Sequence, residues 1–381
     1  MQRVVQDWIT LDLTDSARAL GITTSLQFLP AFLFSLYGGR IADRCNKPKI
    51  LLTCNTLYAV LAVLSGFLIQ RNLFTFKLLL VFVAAFGLVS AVDGPVRMSY
   101  ITDLLGNDKV SKGVGLNSVN INLGRLVGPL LAGVIGSQFG IYAVQYLVGI
   151  FFGITALVVW FLRPSDYKNY IDFGFANDSS IKEGVKHLRQ NRQVMLVTTY
   201  VFVLAFFAMH FPTTIMLMAR FEYQLEIQEF TFVYSSIALG FVFGGAVLST
   251  RRRFTELTDI RNTTLGFSIL LFVGSLASNA IIFSVFLILI GIASTMLIGS
   301  LNSFIQERSP EEFRGRFLGA YLAAFTCGTT LGVILVGIEV DLFGARFPLR
   351  IAALAVPVFG FLLLRFGSRG QINKVIHPGL G

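Results

Sequence analysis

The sequence predicts an all-α integral membrane protein made of two six-helix bundles related by a pseudo-two-fold axis. Three observations predict this fold class. The composition is too apolar for a water-soluble protein, apolar runs of membrane-spanning length recur along the whole chain, and the two halves repeat one pattern of glycines. A repeated helical unit of this size implies two similar bundles packed side by side.

The composition separates this chain from soluble proteins. Hydrophobic residues make up 54% of its 381 residues and charged residues only 14%, whereas soluble domains average about 25% charged residues. The 37 Phe and 36 Gly suit helices that face lipid and cross one another closely. The net charge is +10, and we expect this basic excess in loops rather than in a nucleic-acid-binding patch. The composition therefore excludes soluble enzymes and nucleic-acid-binding proteins.

Cysteine and histidine give no sign of a metal site or a disulfide framework. The three cysteines, Cys45, Cys54 and Cys327, are odd in number and lack the spacing of metal ligands. The three histidines lie far apart, whereas an integral membrane enzyme needs clustered polar residues. No phosphate-binding loop of the GxxxxGK[ST] type is present. We therefore expect no metal, no cofactor and no enzymatic activity.

Apolar runs predict eleven full membrane spans, since a hydrocarbon core of about 30 Å needs roughly 20 helical residues. The short run at Thr263 is expected to begin earlier. Met1–Leu13 resembles the second half of a further helix, so we expect the natural protein to begin upstream of Met1; the alternative is an eleven-span protein with a short outer stub. The predicted spans are Ser16–Tyr37, Ile50–Ile69, Phe76–Val96, Leu116–Ile135, Ile141–Leu162, Val194–Met216, Thr231–Leu248, Thr263–Ala277, Ala280–Ile298, Phe317–Val336 and Phe347–Leu364.

The distribution of loop charge predicts the orientation. Most of the 31 Lys and Arg residues fall in one set of alternate loops, which includes the stretch 163–192 and the C-terminal tail. Cytoplasmic loops retain Lys and Arg. We therefore expect a multi-pass protein of the cytoplasmic (inner) membrane with a cytoplasmic C-terminus.

An internal repeat divides the chain into two halves. At a shift of 204 residues, six positions of the first half meet the same residue type in the second half. These positions are Gly115, Gly124, Gly128, Gly133, Phe139 and Gly140, which pair with Gly319, Gly328, Gly332, Gly337, Phe343 and Gly344. Such coincidence in one ungapped register predicts that one six-helix unit is used twice.

The repeat also sets the predicted domain boundaries. We expect an N-terminal transmembrane bundle over 1–162, a cytoplasmic linker over 163–193, a C-terminal bundle over 194–366 and a cytoplasmic tail over 367–381. The apolar residues of the linker share one helical face. This pattern predicts either an amphipathic helix on the membrane surface or a solvated linker helix.

A basic turn with the sequence GGRIADRCNKPK begins at Gly38. It resembles the signature loop of the major facilitator superfamily, in which a glycine, three residues and Asp-Arg precede a second glycine and basic residues. Gly39, Asp43, Arg44 and Lys47 match, whereas asparagine replaces the second glycine and proline replaces a basic residue. In that family the loop latches the two halves in the outward-open state. The resemblance implies a gating role; the alternative is a loop that only sets topology.

The segment Gly124–Gly133 reads GRLVGPLLAG and is similar to the antiporter motif GxxxGPxxGG of the same superfamily. Gly124, Gly128, Pro129 and Gly133 match, and alanine takes one of the last glycine positions. Small residues one turn apart allow two helices to approach closely, and proline bends a helix. In relatives the motif is associated with exporters that exchange substrate for protons. The alternative is ordinary packing of small residues.

The sequence DGPVR places Asp93 and Arg97 four residues apart, on one helix face where they can form an ion pair. Arg44 or Lys47 of the signature loop could join them at the cytoplasmic gate. The D-x-P-x-R pattern, with Asn117 and Arg125 downstream, resembles the drug:proton antiporter-3 branch of the superfamily, which contains siderophore exporters and macrolide efflux pumps. The resemblance implies the major-facilitator fold across the whole chain.

Polar side chains at membrane depth are functional candidates, because a charge there costs about 2.5–3.5 kcal/mol on insertion scales. Arg125 is the clearest, with Asn117 two turns before it near the same helical face. Asp7 is the carboxylate of the first helix, with Gln6 beside it. We expect Asp7 to be the protonatable coupling group and Gln27 to line the same cavity.

The C-terminal half offers weaker candidates. His210 titrates in a suitable range for a proton relay, but a lone intramembrane histidine more often forms a structural hydrogen bond. Phe206, Phe207 and Tyr321 are expected to wall the cavity of this half. Such a wall suits a hydrophobic or amphipathic substrate.

The patterns and the resemblance together favour a secondary active transporter that works by alternating access. We expect a proton-coupled exporter of a small amphipathic compound, such as a drug, siderophore or metabolite, that has lipid and protons as its other partners and acts as a monomer. The alternatives are an uptake symporter for a small metabolite, against which Pro129 and its bent helix weigh, and a non-transporting membrane scaffold.

Overall fold

The computed structural model describes residues 1–44, 46–105, 110–161, 192–250, 255–309 and 314–375, and all regular structure in these ranges is helical. The helices are α1 (Gln2–Thr14), α2 (Ala17–Arg44), α3 (Lys47–Gln70), α4 (Phe76–Leu105), α5 (Val110–Phe139), α6 (Ile141–Phe161), α7 (Arg192–Ala208), α8 (Phe211–Leu217), a π-helix (Met218–Glu222), α9 (Ile227–Ser249), α10 (Leu257–Gly274), α11 (Ala280–Arg308), α12 (Arg314–Phe343) and α13 (Phe347–Val375).

Each predicted span coincides with helical structure. The short run at Thr263 begins at Leu257, as expected, and the run at Val194 is divided into α7 and α8 because Pro212 begins a new helix after His210. Within the described residues, seven helical segments are long and apolar enough to cross a membrane, and α5 and α13 add shorter apolar stretches. The remaining predicted spans, in α2 and α10, are also helical.

The segment predicted as half a helix forms α1, which has 13 residues and is therefore shorter than a span. Its residues from Val4 to Leu11 are buried. An upstream start of the natural chain stays a prediction.

The helices pack as two groups of equivalent topology. In the first, α2 packs on α4, and α3 packs on α4 and α6; in the second, α9 packs on α11, and α10 packs on α11 and α13. The helices α5 and α12, which carry the repeated glycines, end alike: Gly140 and Gly344 follow them with φ of 85° and 87°. Residues other than glycine rarely adopt this left-handed conformation, so the sequence repeat is also a repeat of backbone geometry.

The predicted domain boundaries stay predictions. Nearly all of the predicted linker 163–193 lies outside the described residues, including its apolar face. The helix α13 continues past residue 366 to Val375, so it crosses the predicted start of the tail.

The two halves meet along two helix pairs, α2 with α12 and α5 with α9. A Cβ on Gly337 of α12 would lie 2.6 Å from the Ala17 carbonyl oxygen of α2, and one on Gly133 of α5 would collide with the Thr231 side chain of α9. These contacts lie where α2 and α9 begin and where α5 and α12 end. We call this side of the molecule the closed end.

Candidate functional site

Asp7 lies on the buried face of α1 and is 2% exposed. Arg3, one turn earlier, approaches it with 3.7 Å between Nε and Oδ2, as the spacing of four residues allows. From α2, Thr24 donates a hydrogen bond of 3.4 Å from Oγ1 to Asp7 Oδ1. The guanidinium of Arg3 also lies over the Phe28 ring, 5.0 Å from its centroid. The carboxylate is therefore buried against one cation and one hydroxyl, both at long distances.

Two glutamines join α1 to α2 beside this carboxylate. Gln6 Nε2 donates a hydrogen bond of 3.3 Å to Gln27 Oε1. Gln6 is 1% exposed, and its Oε1 has no hydrogen-bond partner among the described residues. The predicted neighbours Gln6, Asp7 and Gln27 are thus brought together by the packing of α1 on α2.

A cavity of about 490 Å³ opens beside these residues within the N-terminal half. Arg3 and Gln27 line it together with Tyr58 of α3 and with Asp93 and Arg97 of α4. Its volume falls in the range of ligand-binding cavities, about 300–1,000 Å³. Arg3, Gln27 and the pair of Asp93 and Arg97 therefore border a space large enough for a small molecule.

The predicted pair of Asp93 and Arg97 forms on the wall of this cavity. Arg97 Nη2 lies 2.8 Å from both carboxylate oxygens, and Nε adds a third bond of 3.2 Å. Such multiple charge-assisted bonds fix the orientation of both groups. The pair therefore holds both charged groups in place on the cavity wall.

The predicted signature turn is mostly helical, which corrects the expectation of a loop. The helix α2 continues through Gly39 and Asp43 to Arg44, and α3 begins at Lys47. Asn46 ends the turn because its Oδ1 caps α3 by accepting a 3.1 Å bond from the Lys49 N–H. The side chains of Asp43 and Arg44 lie outside the described residues, so their gating role stays a prediction.

The glycines of the predicted antiporter motif have different surroundings. Gly128 lies beside the start of α1, where a Cβ would be 3.1 Å from the Met1 nitrogen, and Gly133 lies against α9. A Cβ on Gly124 would meet nothing within 4 Å. Pro129 is buried within α5. Close helix approach therefore explains two of the three glycines.

Arg125 and Tyr234 lie where the two halves meet. The neighbouring residues bond to each other, since Ser235 Oγ of α9 donates a 3.4 Å hydrogen bond to the Leu126 carbonyl of α5. Arg125 is exposed. Tyr234 is half-buried on α9, next to Ser235. Asn117 lies in α5, and its side chain is outside the described residues.

His210 has a structural hydrogen bond in the break between α7 and α8. It is 5% exposed, and its Nδ1 lies 3.0 Å from Thr214 Oγ1. Such bonding is the more common role of a lone intramembrane histidine, and a relay role for His210 stays a prediction.

The aromatic residues expected to wall a cavity of the C-terminal half pack against protein. The rings of Phe206 and Phe207 touch edge to face, Phe207 stacks on Phe359, and Tyr321 is 4% exposed. The backbone of Phe206 lies so close to Gly332 of α12 that a side chain there would collide with it. These residues therefore do not line the cavity described above.

Sequence reasoning missed the ion pairs that link the two halves at the closed end. Arg18 Nε of α2 lies 2.8 Å from Asp341 Oδ2 of α12. Arg220 of the π-helix lies 3.7 Å from Asp15 and 3.9 Å from Asp12, both near the end of α1. Each pair joins residues more than 200 positions apart, so no local spacing could have revealed it.

Sequence reasoning also missed Glu339, a carboxylate within the apolar segment VGIEVDLF of α12. It is 7% exposed. It lies seven residues after Gly332 and therefore near the same helical face, which Gly332 turns toward Phe206 of α7. Its signal was a charge in an apolar run near the end of a predicted span.

The geometry thus places buried polar groups within two similar helical bundles and ion pairs between them, and comparison with known proteins agrees with this architecture. Residues 4–321 match the family model of the Major Facilitator Superfamily. The chain belongs to this superfamily. It is a multi-pass membrane transporter, as predicted, and its family and fold are those of transporters rather than enzymes.

Three relatives within the Major Facilitator Superfamily align over most of the chain. The Staphyloferrin A transporter of Staphylococcus aureus is 21% identical over 345 residues, covering 89% of this chain and 85% of the relative. The multidrug efflux pump Tap of Mycobacterium tuberculosis is 22% identical over 381 residues, and the alignment covers 96% of this chain and 89% of the relative. Macrolide efflux protein A of Streptococcus pyogenes is 24% identical over 348 residues, and the alignment covers 87% of this chain and 83% of the relative. The predicted resemblance to drug and siderophore exporters of the superfamily is therefore confirmed.

Solved superfamily structures share the fold. A bacterial homologue of the lysosomal transporter Spinster, inward-facing and occupied, has a TM-score of 0.73 at 16% identity, covering 96% of this chain and 91% of its own. The nucleoside transporter NupG has a TM-score of 0.74 at 14% identity, with 95% and 93% covered. The inward-open xylose transporter XylE of E. coli has a TM-score of 0.72 at 12% identity, with 96% and 92% covered. The predicted major-facilitator fold is confirmed.

Proposed function

We propose that this transporter exports a small amphipathic compound in exchange for protons. The observation that carries the proposal is Asp7, a buried carboxylate whose partners among the described residues are Arg3 at 3.7 Å and Thr24 at 3.4 Å. A carboxylate with such weak partners can exchange its cation for a proton, which is what proton coupling requires. The antiporter motif and the names of the relatives, a siderophore transporter and two efflux proteins, support export.

The proposed cycle opens and closes the two ends alternately. The closed end is held by glycine contacts and by the pairs Arg18–Asp341 and Arg220–Asp15. Exposed ion pairs contribute only about 0.2–1 kcal/mol each, so they can break in every cycle. Binding of a proton at Asp7 frees Arg3, and the freed cation then changes the contacts between α1 and its neighbours.

Transport in everted membrane vesicles tests the proposal. Vesicles acidified inside are expected to accumulate a substrate from a panel of a macrolide, a cationic dye and an iron-free siderophore, and to lose it when an ionophore collapses the pH gradient. Accumulation only with an alkaline interior would indicate a symporter. No proton-linked movement of any compound would favour a scaffold. Vesicles that lack the protein are the control.

The orientation is also proposed, from the loop charges: a bacterial cell membrane, a cytoplasmic C-terminus and a closed end that faces outward. We expect green fluorescent protein fused after Gly381 to fluoresce, and alkaline phosphatase fused at the same point to be inactive, because the first matures in the cytoplasm and the second outside it. The opposite pair of activities would reverse the orientation. Protons and lipid are the proposed further partners, and the proposed state is a monomer.

A further inference from the structure

Arg125 lies on the interior face of α5 rather than the face toward lipid. The lipid-facing side of this helix is marked by large exposed apolar residues, namely Leu123, Val127, Leu131 and Val134. Arg125 points away from them at a helical period of 3.6 residues. Pro129 and Ala132, four and seven residues later on the Arg125 face, are buried. The exposed side chain of Arg125 therefore faces the space between the two halves.

Tyr234 occupies the same position on the facing helix. The lipid-facing side of α9 carries Phe232, Leu239 and Phe243, which are all exposed, and Tyr234 points the opposite way. The bond between Ser235 and the Leu126 carbonyl fixes the register of the two helices at this level. A guanidinium from one half and a phenol from the other thus border the same space.

The positive charge of Arg125 is uncompensated. Within the described part of the chain it has no ion-pair or hydrogen-bond partner. The carboxylates of Asp7 and Asp93 are each engaged by an arginine of their own helix, at 3.7 Å from Arg3 and 2.8 Å from Arg97. A free charge at membrane depth costs about 2.5–3.5 kcal/mol, so a site that keeps one is prepared for an opposite charge.

We propose that Arg125 and Tyr234 bind the carboxylate of an anionic amphipathic substrate. Arginine presents paired N–H donors that match the two oxygens of a carboxylate, and the Tyr234 hydroxyl supplies a further donor. Because the two donors come from different halves, the substrate bridges them. This substrate class rests on the proposed export function.

Binding of matched probes to the full-length protein in nanodiscs tests this substrate class. The probes are 1-naphthylacetate, 1-naphthylacetamide and 1-naphthylmethylammonium, which share one ring and differ in the headgroup. We expect the carboxylate to bind about tenfold more tightly than the amide, as a hydrogen bond to a charged group predicts, and the ammonium to bind most weakly. Equal or tighter binding of the ammonium, or no binding of the carboxylate at millimolar concentration, would overturn the proposal.

Substitutions assign the preference to the two residues. Arg125→Gln should abolish the tenfold preference and leave amide binding within about twofold, Arg125→Lys should keep part of it, and Tyr234→Phe should reduce it less. The matched control is Arg71→Gln at the exposed end of α3. An unchanged preference in folded Arg125→Lys and Arg125→Gln proteins would reject the site.

Failure of the substrate class is distinguishable from failure of export. If everted vesicles move the cationic probe and not the carboxylate, export stands and the anion site is wrong. If the carboxylate binds with the expected preference but no probe is transported, the anion site stands and export is wrong.

Discussion

Asp7→Asn is expected to abolish proton-driven transport while leaving downhill exchange of substrate intact. Asparagine keeps the size of the side chain and can still accept the Thr24 hydroxyl, but it cannot take up a proton at any physiological pH. The coupled rate should therefore fall to the level of vesicles without a pH gradient. Arg3 also loses its carboxylate partner, and the variant should no longer respond to the internal pH.

The measurement compares two assays in the same proteoliposomes. Uptake driven by an imposed pH gradient reports coupling, and counterflow of labelled against unlabelled substrate reports exchange. Asp259→Asn is the matched control, because Asp259 lies at the start of α10 in the other half and an amide oxygen can still accept the 3.1 Å bond from the Glu256 N–H. Active transport by the Asp7 variant equal to that of the control would remove Asp7 from the coupling mechanism.

Gly337→Leu is expected to open the closed end. A Cβ at this position would lie 2.6 Å from the Ala17 carbonyl oxygen, and overpacking of this kind costs about 1–3 kcal/mol. The cost applies only while α2 and α12 are in contact, so the substitution shifts the population toward the state in which that end is open. A shift of 1.4 kcal/mol changes the ratio of the two states about tenfold.

Cysteine labelling measures this shift. Ser25 is buried in the same interface, where its hydroxyl donates a 3.0 Å bond to the Thr330 carbonyl. In a protein whose native cysteines are replaced by serine, Ser25→Cys should react slowly with an impermeant maleimide added outside cells, and about tenfold faster with Gly337→Leu. Gly245→Leu is the control, because a Cβ there meets nothing within 4 Å. Equal labelling rates in both variants would show that this contact does not hold the end closed.

Features that depend on neighbouring residues of one helix could be predicted from the sequence, because the interacting groups are close together in the chain. Apolar length alone located the helices, and a spacing of four residues predicted the pair of Asp93 and Arg97. The repeat of glycines predicted the equivalence of α5 and α12, which their matching terminal conformations bear out.

Contacts between distant segments could not be predicted in this way. Arg18 carries no local sign of a partner, because Asp341 lies on a helix of the other half, and Tyr234 carries no local sign that it lies beside α5. The signature turn was expected as a loop, yet α2 continues through it to Arg44, and Asn46 then caps the start of α3. Long-range packing, rather than residue type, decides these roles.

The ion pair between Arg18 and Asp341 makes the rate at which the closed end opens depend on the ionic strength of the surrounding solution. The two side chains are 53% and 28% exposed, so dissolved salt screens their attraction, with a Debye length of about 8 Å at physiological ionic strength and about 3 Å at 1 M. A high salt concentration on that side of the membrane therefore weakens the ion pair without acting on the bound substrate. At higher external ionic strength we therefore expect the closed end to open more readily and the substrate to be released earlier, with no change in the sequence.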